Sequence, residues 1–283
     1  MEPVTATIAG EEFRLEPLDK LKDVPNARKS LFRALGLMQE KSDWDNLPNL
    51  LQGFKTAGVR LYTSDLLKIV RTAGKAGRQD VILECIRRAG TTGFKSKNPE
   101  LVQQVLWWFQ HKALVSDWSA EETKKALSWA EMLVVHLENP THSGANAIQG
   151  ETDPRVRPEV IGILLQLAAV RASKHRSGKD EDGKVAEYSQ KLLGTSLDWG
   201  TPKTETHHEL NPWISKAVPV LQGIRVARTV LDPASKVAKD LKERSAELEQ
   251  QVSAYRNTLA EATSGWEGQP TGLWLYEKLL IAQ

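Results

Sequence analysis

The sequence predicts an all-α protein: an α-solenoid of stacked helical hairpins with a long C-terminal amphipathic helix. Three observations carry that prediction. A central stretch repeats at 35 residues, from Gly58 to Gly93, and its apolar positions coincide: Leu47 with Ile82, Leu50 with Cys85, Leu51 with Ile86, Leu66 with Leu101, Leu67 with Val102 and Val70 with Val105. A period in the thirties with two helical patterns per unit is that of hairpins that bury their apolar faces only on their neighbours. Apolar residues recur at helical spacing along most of the remainder, and Leu241, Leu248 and Tyr255 recur every seven residues near the C-terminus.

Residues 1–25 read as an irregular extension, with a small hairpin about Gly10 limited by Pro3, Pro17 and Pro25. Residues 26–138 read as the repeat domain. Helical periodicity starts with Leu31, Ala34, Leu35 and Met38, breaks at the cap-like cluster Ser42-Asp43-Trp44-Asp45, and resumes from Leu47 to Phe54. Gly58 ends that helix, Thr63 or Ser64 is expected to cap the next, and Gly77 closes it. The following helix spans Val81 to Ala89 and stops at Gly90 and Gly93. Asn98-Pro99 restarts a helix, because proline in the first turn gives up only an N–H with no partner there. Ser119-Ala120-Glu121-Glu122 has the form of a capping box for a helix ending before Pro140.

Residues 139–154, rich in Asn, Pro, Thr, Ser and Gly, read as a linker. A second helical region, 155–231, holds a buried helix at 158–175, a charged loop from Arg176 to Lys184, a returning helix from Val185 to Leu193, and a helix at 213–230 broken by Pro219. Residues 232–283 then form the amphipathic helix, starting at Asp232-Pro233, and a docking tail containing Trp274.

Composition narrows the function. The 283 residues carry a formal net charge of +2, are 26% charged and 40% apolar, and include one cysteine, so a disulfide framework is excluded and a reducing compartment fits. Val160 to Val170, the longest apolar run, is flanked by Arg157 and Arg171 and is about half the roughly 20 residues of a membrane span. Met1-Glu2-Pro3-Val4 has neither a basic nor an apolar stretch, so no secretory signal is expected.

Tyr62 to Lys97 resembles a pentatricopeptide repeat. Lys75, Gly77 and Arg78 match the turn after that family's first helix, and Gly93, Phe94 and Lys95 match the turn that closes the unit. The similarity covers roughly residues 30–115. It implies an organellar protein that binds RNA, in the mitochondrial matrix or otherwise the cytoplasm. The family reads single-stranded bases one per repeat, but its base-reading positions align here with Leu67 and Lys97. Leucine cannot hydrogen-bond a base edge, so the resemblance is to a degenerate member without a code.

Charge points the same way. Lys55, Arg60, Lys68, Arg71, Lys75, Arg78, Arg87, Arg88, Lys95 and Lys97 face only Asp65, Asp80 and Glu84 between residues 55 and 97. Such a face attracts phosphates independently of sequence. The expected function is a non-catalytic component or accessory of a mitochondrial ribonucleoprotein, with the mitochondrial ribosome foremost, that contacts RNA backbone and protein subunits. A protein-only scaffold or assembly factor of a mitochondrial complex is the alternative. Trp107, Trp108, Leu241, Leu248, Tyr255 and Trp274 are the expected protein-interface residues.

No cofactor or metal site is expected. Gly178 to Val185 has phosphate-loop spacing, but it carries three acids, lacks the Ser or Thr that holds magnesium, and follows a helix. His207-His208-Glu209 has no Cys nearby, and adjacent histidines diverge on regular backbone. Cys85 falls at an apolar position of the repeat and is expected in the core.

Overall fold

A computed structural model describes residues 4–14, 25–143, 153–203 and 207–281. The expected extension and linker therefore lie partly outside the described residues, at 1–3, 15–24 and 144–152. The hairpin about Gly10 is present: β1 (Thr5–Ile8) pairs antiparallel with β2 (Glu11–Arg14), Thr5 opposite Arg14. The remaining elements among the described residues are helices.

The N-terminal helices are α1 (Ala27–Leu37), α2 (Lys41–Asp45), α3 (Leu47–Thr56), α4 (Thr63–Lys75), α5 (Gln79–Arg87), α6 (Ala89–Thr92), α7 (Pro99–Val115), α8 (Ala120–Leu137) and α9 (Pro140–Ser143). Asn26, Asn98 and Ser119 cap α1, α7 and α8 by accepting backbone N–H bonds. Two local expectations change. The cluster at residues 42–45 forms α2 rather than a break, because the Asp43 carboxylate accepts the N–H groups of Gln39 and Glu40 and so closes a short turn. Neither Thr63 nor Ser64 caps α4; Asp65 reaches back to the Tyr62 N–H at 2.9 Å.

The repeat shows as contact between helices one period apart. α3 packs on α5 and α6, and α4 packs on α7. The turns after α3 and α6 use Gly58 and Gly93 at φ +73° and +74°, a region that β-carbons disfavour. Arg78 ties the turn between α4 and α5 to α2, donating to Asp80, to Asp45 and to the carbonyl of Lys41 at 2.7 Å. Cys85 is fully buried, as expected of a repeat core position, and burial pushes its thiol up to about 12.

α4 meets α7 at one tight point. A β-carbon on Gly74 would lie 2.2 Å from the Trp108 ring. Trp108 is 6% exposed, so this indole fills the space that any other residue at 74 would occupy.

The buried side chains continue through α10 (Pro158–His175), which packs on α7, α8 and α12 (His207–Val230). A short 3-10 turn, Pro154–Val156, precedes α10. α10 is buried along nearly its whole length, as its apolar run predicts, and no described helix is long and apolar enough to cross a membrane. α11 (Lys184–Leu193) returns along α10, and both Asp180 carboxylate oxygens accept its first free N–H groups, from Val185 and Ala186. The phosphate-loop spacing thus holds a carboxylate where phosphate would sit.

α12 departs from its expected form, beginning at His207 and running unbroken through Pro219. An internal proline removes one helical hydrogen bond and costs about 3 kcal/mol. Val218, Pro219, Val220 and Leu221 are all buried, so burial at about 1.5–3 kcal/mol per large apolar side chain outweighs that cost. α13 (Lys236–Ala262) starts three residues after Pro233, capped by the Ser235 hydroxyl. α14 (Thr271–Tyr276) and a π-helical turn at Glu277–Ile281 dock on α12.

Two expected outcomes follow from this packing. Gly74→Ala should destabilise the protein by about 1–3 kcal/mol through overpacking, read as a lowered urea midpoint, and Trp108→Leu in the same chain should recover part of the loss. Cys85 should resist a thiol-reactive dye at pH 8 and react fully once the protein is unfolded; fast labelling of the native protein would contradict its place in the core.

Candidate nucleic-acid interface

The period that stacks α4 on α7 also sets their leading loops side by side. The chain leaves α3 at Gly58 and reaches α4 through residues 59–62; one period later it leaves α6 at Gly93 and reaches α7 through residues 94–98. Between these loops lies a groove of about 480 Å³ whose charged lining is Lys55, Arg60, Lys95 and Lys97. Tyr62, Thr63, Asn98 and the turn at Thr92 and Gly93 complete the polar wall, and among the described residues no carboxylate lines it. Lys55 is anchored by donating to the Gly90 carbonyl, one period further along the chain. The N-terminal ends of α4 and α7 face the same region and add their partial positive charge.

Tyr62 stands half exposed at the groove with two guanidinium groups over its ring, Arg28 at 5.0 Å and Arg60 at 5.7 Å from the centroid. One buried carboxylate fixes this arrangement. Asp65 accepts from Arg28 Nη2 at 2.5 Å and Nε at 3.2 Å while holding the Tyr62 N–H. The bond to Asp65 raises the affinity of Arg28 for its proton. Arg28 and Tyr62 were not among the residues expected from sequence. Tyr62 had a signal, since it lies one period before Lys97; Arg28 precedes the repeat and had none.

The other cations are placed differently. Lys68 lies 3.9 Å from the centre of the Phe32 ring on α1, and Arg71 and Lys75 are exposed along α4. Arg87 is paired with Glu84 at 2.7 Å, and Arg88 donates to Asn49 and Gln52 on α3. Arg78 turns inward, 9% exposed, with Nε, Nη1 and Nη2 all engaged, and its two aspartates raise its proton affinity. It is a tie within the fold rather than an open cation.

Half of the expected interface residues also turn inward. Leu241 and Leu248 are buried because the heptad stripe of α13 faces α11 and α12 of the same chain. Trp108 fills the space over Gly74, and Trp107 stacks on His111, which also meets Trp274 at 5.5 Å. These rings dock the C-terminal segment on α7. Trp107, Tyr255 and Trp274 remain partly exposed, Tyr255 beside a cleft.

Over residues 1–278 the chain matches the family described as mitochondrial ribosomal protein mS27. It belongs to that family. A curated relative, the small ribosomal subunit protein mS27 of Neurospora crassa, is 37% identical over 207 residues, covering 68% of this chain and 52% of the relative. The chain thus spans about half the length of that relative. Membership in the mS27 family bears out the mitochondrial ribosomal protein expected from the repeat resemblance, and the helical-repeat contacts are compatible with it.

In this mS27-family chain one histidine fixes the groove's second loop. Ser96 N–H donates to His142 Nδ1 at 3.1 Å, and both side chains are buried. Burial holds the His142 imidazole below its ordinary value, helped by the charges of His136 and Lys95. The unfolded chain therefore takes up the proton first as pH falls past about 6.5. Stability from this contact is complete above that pH and declines below it. The urea midpoint is expected to drop between pH 7.5 and 5.5, by less in His142→Asn; identical declines in the two proteins would contradict the assignment.

Proposed function

We propose that the protein is a non-catalytic component of the small subunit of the mitochondrial ribosome in the matrix, holding ribosomal RNA by its backbone in the groove between the α3–α4 and α6–α7 loops. One observation carries the reading: Lys55, Arg60, Lys95 and Lys97 converge on a single groove that no carboxylate lines among the described residues. Positive charge concentrated this way releases counterions from a phosphate backbone and binds it with strong salt dependence. Arg71 and Lys75 extend the positive face along α4. Family membership supports the ribosomal setting.

The contact is by shape and charge. Leu67 is packed against the core, and Lys97 is one of the groove cations. Neither offers the bidentate edge that specifies a base. Protein neighbours occupy other surfaces, as in any component of a large assembly.

Binding of a labelled single-stranded RNA should weaken linearly in log–log form with added salt, with a slope of about −0.7 per phosphate engaged. Lys95→Glu with Lys97→Glu should flatten that slope by about one to two such steps and leave the urea midpoint in place. Arg78→Glu should instead lower the midpoint. A purified protein that ignores RNA at low salt would overturn the reading and favour a protein-only scaffold.

A further inference from the structure

A cleft of about 650 Å³ lies far along the chain from the basic groove, between α13 and the loop at 194–201. Aromatic rings form its apolar side. Trp199 and Trp213 meet edge to face at 5.8 Å, and Trp213 meets Tyr255 in the same way at 4.7 Å. Both indole N–H groups are already engaged, Trp199 with the Glu159 carboxylate at 2.8 Å and Trp213 with the Gly200 carbonyl at 3.1 Å. The rings are thereby fixed in place.

The charge of this cleft is opposite to that of the groove. Asp198 and Glu247 line it, and Asp240 and Glu243 line the adjoining recess on α13. Asp240, Glu243 and Glu247 form no ion pair among the described residues. The cation in the cleft, Arg244, is directed to the carbonyls of Leu193 and Thr195, at 3.2 and 2.9 Å, where it caps the end of α11. Its charge is offset there by the negative end of that helix.

We propose that this cleft is a docking seat for a basic, extended segment of a neighbouring protein, with arginine or lysine side chains over Trp199 and Tyr255 and their charges met by Glu243 and Glu247. Charge complementarity selects the occupant. Unpaired carboxylates around an aromatic wall attract cations and add a cation–π component, while the same acids repel RNA. The stripe of α13 explains the position: Leu241 and Leu248 are covered by the chain itself, and Tyr255, seven residues on, is the member left at the opening.

The test is fluorescence anisotropy of the full chain with a short labelled peptide of alternating arginine and glycine. Controls are the same peptide with glutamate or leucine in place of arginine. The arginine peptide should bind and both controls should not. Glu243→Lys with Glu247→Lys should weaken binding at least tenfold, whereas Glu261→Lys, elsewhere on α13, should leave it within twofold. Tyr255→Ala should weaken it about threefold or more and Tyr255→Phe should restore it, with circular dichroism confirming that each variant folds. Equal binding of the leucine peptide, or unchanged binding in the Glu243/Glu247 double variant, would overturn the proposal. RNA binding plays no part in this readout, so it stands or falls separately from the groove.

Discussion

The groove depends on the contact between Gly74 and Trp108. An indole fits against the backbone of α4 because residue 74 has no side chain, and this sets the register of α4 on α7. The loops that precede these helices carry Arg60 and Tyr62 on one side and Lys95 and Lys97 on the other. A shift of one helix along the other would separate these pairs. The geometry of the groove is therefore written into the packing of the core behind the loops. Asp65 and Asn98 fix the helix starts that bear these loops, accepting the N–H groups of Tyr62 and Leu101.

The core beyond that contact is continuous and mostly apolar, with a polar seam. Gln110 of α7 donates to Gln166 of α10 at 2.5 Å inside it. Their remaining amide groups have no protein partner, nor does the buried amide of Gln222 on α12. Unsatisfied buried amides cost stability, and three of them where α7, α10 and α12 pack favour one register of the helices over slipped alternatives, as polar groups in helical cores do elsewhere. Charge is divided along the same chain: cations gather in the groove of the repeat half, and carboxylates gather around the cleft beside α13.

The sequence made the helices legible wherever apolar periodicity and a strong cap or breaker agreed, as at Asn98-Pro99, at Ser119 and through the buried run of α10. It misled at Pro219, because a proline's local cost can be read from sequence but the burial that outweighs it cannot. It misled again on α13, where a seven-residue stripe reads alike whether the covering helix is its own or a partner's. Of the cations, those flanking the repeat glycines were placed by the period. Arg78 was legible as a positive charge but not as a buried tie, because its partner Asp45 lies 33 residues away. Arg28 joined the site only through Asp65, a long-range contact without a local pattern.

The central claim is that the groove, rather than the chain's positive charge at large, meets RNA. Photo-crosslinking from single positions in the assembled particle tests it most directly. A photoreactive residue in place of Lys95 should join the protein to ribosomal RNA of the small subunit, while one in place of Glu247 should join it to protein. Protein crosslinks alone from position 95, with RNA reached from position 247, would contradict the account.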